Sequence, residues 1–355
     1  MKSLALFNNK GGVGKTTLTF NIAHMLARRG LRTVALDYDP QCNLSAVFLA
    51  DDELAEIWED DESSSRSGLR ERGRTVAGCI ELVRRGKGDI LEPVLVDVAE
   101  DLWLLPGHLG LSRFERRLAE EWPKTGDRDN ERALDVTTAL DLLANMAAEK
   151  VDADIVLIDV GPSLGALNRA ALLACDAIVV PLAPDLFSLQ GLANVGPTLS
   201  EWRHDWDNVW RTKLEGRTQE SLPIHRFHPI GYIVQQHLAR VDRIPAGYLK
   251  WASQIPWYFH HHVLEEKDAA EDLQIEDDEQ CIALIKHFAS LVPIAQIAKK
   301  PIFDLKQADG IGGGQLQAVA RCRQEFDGLV MRLLEKLEHV PEAKPVARKR
   351  KSPRS

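Results

Sequence analysis

The sequence predicts a doubly wound, mostly parallel α/β sheet, on two observations: short, continuously apolar runs recur along the chain, and amphipathic stretches of helical length alternate with them. The first forty residues set the pattern. Leu4–Phe7 is apolar, a Gly-rich turn follows at 11–14, Thr16–Arg29 reads as an amphipathic helix, and Thr33–Leu36 is a second apolar run ending in Asp37. Strands without polar alternation are those that helices cover on both faces, and Gly30 stands where a left-handed residue caps a helix. The same reading gives strands at 102–105, 154–159, 177–181 and 230–234, and helices near 131–149, 165–174, 188–206 and 315–338. Strands and helices in alternation join by right-handed crossovers into one sheet.

Composition narrows the class. With 355 residues, 45% hydrophobic and 27% charged, the chain can bury a core, which excludes collagen-like, disordered and disulfide-scaffold proteins. The 44 Lys and Arg against 53 Asp and Glu leave a net charge of −9, so any anion binding is local. Cys42, Cys79, Cys175, Cys281 and Cys322 are far apart and form no C-x-x-C, which argues against a disulfide framework or a zinc site and for a reducing cytoplasm. Leu4–Phe7 is too short for a secretory leader, and Ala170–Pro184 is broken by Asp176 and Pro181, so a soluble chain is expected.

Residues 1–340 read as one domain, with 51–101 as an insertion and 341–355 as a basic, disordered tail. Two acidic runs, 51–62 and 265–279, read as solvated surface segments. Trp202, Trp206 and Trp210 fall at helical spacing and are expected to pack in the core. His260, His261 and His262 are consecutive, so their side chains diverge and cannot share a metal; no role is assigned to them.

The chemistry concentrates in Asn9-Lys10-Gly11-Gly12-Val13-Gly14-Lys15-Thr16-Thr17, between a strand and a helix. Glycines let successive backbone N–H groups turn inward around an anion, and the helix N-terminus adds positive potential. Lys15 then reaches terminal phosphates and the Thr16 hydroxyl is a Mg²⁺ ligand. Asn9 stands where this loop usually begins with glycine, and Lys10 is a second ammonium. Two such charges on one loop repel unless a polyanion such as a nucleoside triphosphate lies between them. Asp37, Asp39 and Asp159 end predicted strands, the edge at which open α/β sheets bind ligands.

Lys10-Gly11-Gly12-Val13-Gly14-Lys15-Thr16-Thr17 resembles the deviant Walker A motif of the ParA/MinD family of P-loop ATPases. Asp37-Tyr38-Asp39-Pro40-Gln41 with Asn43 is similar to that family's segment after the second strand, and Asp159 followed by Gly161-Pro162-Ser163-Leu164-Gly165 to its Walker B strand and switch. Here Val160-Gly161 replaces the Thr or Cys and Pro of many relatives. Asn168, Ala174-Cys175-Asp176, Pro181 and Leu189-Gln190-Gly191-Leu192 extend the likeness to about residue 195, and Lys300–Leu305 resembles the late segment near the base.

The resemblance implies a SIMIBI-type P-loop NTPase fold and an ATP hydrolase that is slow alone and stimulated by a partner. It implies ATP and Mg²⁺ as cofactors, held by residues 10–17, with Thr16, Asp37 and Asp159 as the metal set. Lys10, Lys15 and Asp39 would be the catalytic residues, Asp39 orienting the attacking water. Lys10 would reach the phosphates of a partner subunit, which implies a homodimer in the ATP state.

The family's commonest use is binding of non-specific DNA for plasmid or chromosome partition with a ParB-like activating partner, in the cytoplasm and at the nucleoid. Arg240, Arg243 and Lys250, interleaved with Tyr248, Trp251 and Trp257, are the candidate DNA contacts. The alternatives are positioning of a protein cargo, a part in a secretion, carboxysome or defence machine, or a MinD-like membrane-associated ATPase. From Lys344 onward Val346 and Ala347 alone are apolar, too few for an inserting helix, and no integral membrane association is expected.

Overall fold

Apolar runs become buried strands, and their register decides which side chains meet. The computed structural model describes residues 1–67, 72–127, 130–206, 227–236, 250–286, 288 and 290–341. Arg240, Arg243, Tyr248, Trp210 and the basic tail lie outside these residues. The chain runs β1 (Lys2–Leu6), α1 (Lys15–Arg28), β2 (Thr33–Asp37), α2 (Asn43–Phe48), α3 (Asp51–Ser67), β3 (Arg72–Gly73), α4 (Val76–Arg85), β4 (Glu92–Pro93), β5 (Val96–Ala99) and β6 (Leu102–Leu105). It continues α5 (Leu111–Glu121), α6 (Glu131–Val151), β7 (Ile155–Asp159), α7 (Ala166–Leu173), β8 (Ala177–Leu182), α8 (Leu186–His204), β9 (His228–Gln236), β10 (Cys281–Lys286), α9 (Val292–Ala298) and α10 (Gly313–Glu338).

Eight strands form one sheet in the order β10-β9-β8-β1-β7-β2-β6-β5, parallel except for β5. One face packs against α1, α9 and α10 through Leu18, Ile22, Phe326 and Leu333; the other packs against α4 to α8 through Ile80, Phe114, Leu143 and Leu172. Because β1 lies between β7 and β8, the loop after β1 emerges at the sheet's centre. Leu6 pairs with Asp159, and Asp159 with Asp37, so these residues stand in one row across the strand ends.

The expected strands and helices are present, and Gly30 takes φ +77° after α1. Elements absent from the expectation have weak or short signals. β5 is an edge strand carrying Asp97, and β10 is a brief run around Ile282 and Ile285. The acidic run at 51–62 belongs to α3, which buries Leu54 and Ile57 and turns Asp61 inward to accept from Arg74 N–H at 3.1 Å. Residues 51–101 thus supply both a sheet edge and α4, whose Val76, Cys79 and Ile80 are core residues. Trp202 and Trp206 are buried, as the packing expectation holds, and the Arg169 guanidinium lies 4.4 Å over the Trp122 ring.

The histidine triplet falls in a π-helical turn, Phe259–Val263. His260 Nδ1 lies 2.7 Å from Glu266 Oε2 and its Nε2 3.0 Å from Asp278 Oδ1, while Tyr232 O–H donates to Asp278 Oδ2 at 2.7 Å. Carboxylates only accept, so both contacts are hydrogen bonds when the ring is an imidazolium. Burial opposes that charge, but the bonds to Asp278 and Glu266 outweigh it and raise the His260 pKa. A raised folded-state value gives stability that is complete below the ordinary histidine value of about 6.5 and lost as pH climbs through the raised one. The melting temperature is therefore expected to fall more steeply above about pH 6.5 in wild type than in His260→Gln. Parallel curves in a thermal scan across pH would refute the clamp.

Candidate nucleotide site

Asn8 begins the site by fixing the loop: its side chain donates to Pro181 O at 2.8 Å and accepts from Lys10 N–H at 2.9 Å. Gly12 and Gly14 take φ +75° and +73°, the left-handed region that glycine enters without strain. A Cβ on Gly14 would also lie 2.2 Å from Gln235 Nε2, so the end of β9 touches the loop. On α8, Gly191 lets Asn8 and Asn9 approach closely.

Lys15, first in α1, is buried and curls back so that its Nζ donates to Asn8 O at 3.0 Å and Lys10 O at 3.1 Å. Burial lowers its pKa, with Asp159 and Asp39 acting in the opposite direction. The Thr16 hydroxyl donates to Asp159 Oδ2 at 2.8 Å. Asp159 Oδ1 is buried and has no hydrogen-bond partner among the described residues. A hydroxyl beside a carboxylate with a spare buried oxygen is the hard donor set of a Mg²⁺ site, so these residues fit that ion.

Asp37 commits its oxygens elsewhere. Oδ2 accepts from Ser45 N–H at 2.8 Å and Ser45 O–H at 2.6 Å, and Oδ1 from Asp39 N–H at 3.2 Å. Asp39 accepts from Gln41 N–H at 2.9 Å and from Asn43 Nδ2 at 3.4 Å, and it faces Gly161 across the site. Asn168 holds the 161–165 loop by donating to Gly161 O and Ser163 O, each at 2.7 Å. Burial, reinforced by the neighbouring carboxylates, pushes the pKa of both Asp37 and Asp159 well above the usual range.

Lys10 points the other way. Its ammonium is paired with Asp185, the N-cap of α8, and lies 5.8 Å over the Phe187 ring. The structure thus gathers Lys10, Gly11, Gly12, Val13, Gly14, Lys15, Thr16, Thr17, Asp37, Asp39 and Asp159 at one sheet edge. Lys250 stands apart, its Nζ 4.6 Å over the Trp251 ring. Sequence reasoning missed Asn8, Ser45, Asp185 and Gln235. An Asp after a proline and before an apolar helix is an N-cap signal that could have found Asp185.

A family model described as AAA domain matches residues 1–210, more than half of the chain. The chain belongs to that family, among its ParA-type P-loop ATPases. This ParA-type chain is 32% identical over 191 residues to the chromosome-partitioning ATPase Soj of Treponema pallidum, covering 54% of its own length and 60% of that protein. It spans less than two thirds of the length of the first curated relatives it matches. A crystal structure of a Corynebacterium diphtheriae protein superposes with a TM-score of 0.65 at 23% identity, over 95% of this chain and 99% of that one. A putative plasmid partition protein from Borrelia burgdorferi bound to AMPPNP gives 0.53 at 18% identity, over 94% and 99%. Both likenesses establish the fold.

Removing one member of the carboxylate trio relieves its repulsion in the free ParA-type chain. Asp159→Asn is expected to raise the melting temperature of the nucleotide-free protein by a few degrees, on the order of 1 kcal/mol. A lower melting temperature in differential scanning calorimetry would contradict this account of the site.

Proposed function

We propose that this protein is an ATP-driven dimerising switch that hydrolyses ATP weakly, is stimulated by a ParB-like protein partner, and binds non-specific DNA for plasmid or chromosome partition. The observation that carries the reading is the opposite aim of the two loop lysines. Lys15 lies buried under the loop, while Lys10 lies at the rim, ion-paired to Asp185. Leu164, Leu186 and Phe187 are exposed large apolar side chains in the loop after β7 and at the start of α8. A second copy covering that rim would bury them and bring its Lys10 to the neighbouring phosphates.

Phosphoryl transfer to water needs positioning and charge neutralisation. The loop amides from Gly11 to Thr17 and the Lys15 ammonium bind the phosphates and neutralise charge on the γ-oxygens. Thr16, with Asp159 behind it, would hold Mg²⁺, which would supply further neutralisation of the phosphate oxygens. Asp39 accepts a hydrogen bond from the attacking water and orients it toward the γ-phosphorus. As the water oxygen bonds to phosphorus, the bond from phosphorus to the bridging oxygen breaks, ADP departs with that oxygen, and the water's proton passes to an oxygen of the released phosphate. Asp37 acts through Ser45 and Asp39 N–H, keeping the Asp39 backbone in place. Support for the partition role comes from the Treponema pallidum relative, which is a chromosome-partitioning ATPase. Lys250 beside Trp251 supports a backbone-tracking patch, joined in this reading by Arg240 and Arg243. Among the described residues no helix is long and apolar enough to cross a membrane.

Binding to non-specific duplex DNA, measured with ATP·Mg²⁺ across a salt series, tests the switch. Wild type is expected to bind only with ATP and to weaken as salt rises. Lys15→Ala is expected to lose about 10- to 100-fold in ATP affinity, the value of a charge-assisted contact, and DNA binding with it. Lys10→Ala is expected to keep ATP yet stay monomeric in light scattering, and Asp39→Ala to keep the dimer while losing turnover. DNA binding indifferent to nucleotide would remove the DNA reading, and a normal ATP-induced Lys10→Ala dimer would remove the trans-lysine one.

A further inference from the structure

Beside the nucleotide site, across the Gly107 peptide, lies a cleft of about 500 Å³ walled by α3, α4, the 107–110 loop and the start of α5. Its carboxylates are already committed. Asp61 accepts from Thr75 O–H and Arg74 N–H, and Glu81 accepts two bonds from Arg84, at 2.7 and 2.8 Å, and an ion pair from Arg85 at 2.6 Å. Arg113 is the third guanidinium in the wall. It is exposed and makes no side-chain hydrogen bond or ion pair among the described residues. Three guanidiniums against two carboxylates leave the lining positive, and the first turn of α5 adds its dipole to it.

The lining also carries an aromatic pair. Trp58 Nε1–H donates to Gly107 O at 3.0 Å, and its ring meets His108 edge-on with centroids 5.7 Å apart. His108 Nδ1 accepts from Gly110 N–H at 2.9 Å, which places the proton of the neutral ring on Nε2 as a donor. The Arg113 guanidinium, uncommitted among the described residues, beside an aromatic pair suits a small anion.

We propose that this cleft binds a small multivalent anion bearing carboxylate or phosphate groups, held by Arg113 and Arg85, and that its occupancy is felt at Asp39. The route is a chain of hydrogen bonds. Trp58 donates to Gly107 O, Gly107 N–H donates to Ser45 Oγ at 2.8 Å, Ser45 O–H donates to Asp37 Oδ2 at 2.6 Å, and Asp39 N–H donates to Asp37 Oδ1 at 3.2 Å. Gly107 has no slack, since a Cβ there would stand 3.0 Å from both the Asp37 carboxyl carbon and the Asp37 carbonyl oxygen. A ligand that shifts Trp58 therefore moves a peptide bonded to the Asp37–Asp39 pair. The coupling rests on the proposed role of Asp39; the site itself does not.

The test uses the full chain labelled with ¹⁵N-tryptophan, with the phosphate loop saturated by AMPPNP·Mg²⁺, titrated with inorganic phosphate and separately with citrate. The Trp58 indole resonance, assigned by its loss in Trp58→Phe, is expected to shift saturably with at least one of them. Arg113→Ala, a surface change, is expected to weaken that response at least tenfold. Lys15→Ala, titrated without nucleotide, is expected to retain it, which separates this cleft from the phosphate loop. A response to phosphate alone or citrate alone assigns the anion class. No response to either, or one that Arg113→Ala leaves intact, overturns the site. An anion that shifts Trp58 but leaves the Asp39 backbone amide resonance unmoved, read in ¹⁵N-aspartate-labelled protein and assigned by its loss in Asp39→Asn, overturns the coupling. These readouts need neither hydrolysis nor a dimer, so their failure is distinct from failure of the proposed switch.

Discussion

The structure depends on the confinement of three carboxylates around one buried ammonium. Parallel strands lie about 4.8 Å apart, and two like charges about 4 Å apart repel by about 4 kcal/mol at an effective dielectric of about 20. Register sets Asp37 beside Asp159, and Asp39 sits two residues beyond the end of β2. Such crowding persists because each member has a compensating partner. Ser45 satisfies Asp37, Gln41 and Asn43 satisfy Asp39, and Thr16 satisfies one oxygen of Asp159. Lys15 is the nearby cation, attracted to both Asp159 and Asp39. The remaining Asp159 oxygen is where the balance is incomplete, and a divalent cation is the natural complement to it.

This constraint explains why the site was legible in the sequence while much around it was not. Gly14-Lys15-Thr16 between a strand and a helix is a local pattern whose backbone chemistry is nearly independent of the remaining fold. Asp37, Asp39 and Asp159 were readable because strand ends are marked by a change from apolar to polar residues, and parallel order then forces them together. Asn8, Ser45, Gly107 and Gln235 act across separations of 62 to 221 residues, or through a side-chain amide with no periodicity to betray it. The acidic run at 51–62 is a solvated face, with Asp51, Asp52, Glu53, Glu56, Glu59 and Asp60 exposed. Leu54, Ile57 and Asp61 occupy the inward face of α3, and only the helix reveals that face.

The two loop lysines carry the same charge yet meet opposite environments, and the difference gives the proposed switch its energetic logic. Lys15 is desolvated and bonded only to carbonyl oxygens, so its charge is poised for an incoming polyanion. Lys10 already has a carboxylate, Asp185, which burial would raise but which the Lys10 contact holds below its ordinary pKa. For Lys10 to serve a second subunit it must exchange Asp185 for a triphosphate. Both lysine and carboxylate are partly solvated, and an ion pair of that kind is worth roughly 0–1 kcal/mol, so the cost of release is small. A triphosphate in an enclosed, water-poor seam offers several charge-assisted bonds of about 1.5–3 kcal/mol each. In the proposed switch the exchange would favour the trans contact only when nucleotide is bound, and a ligand that gains affinity only in one of two states is what shifts a population. Asp185 also caps α8, whose first turn already exposes Leu186 and Phe187, so the carboxylate that Lys10 must leave and the apolar edge a second copy would cover lie at the same few residues.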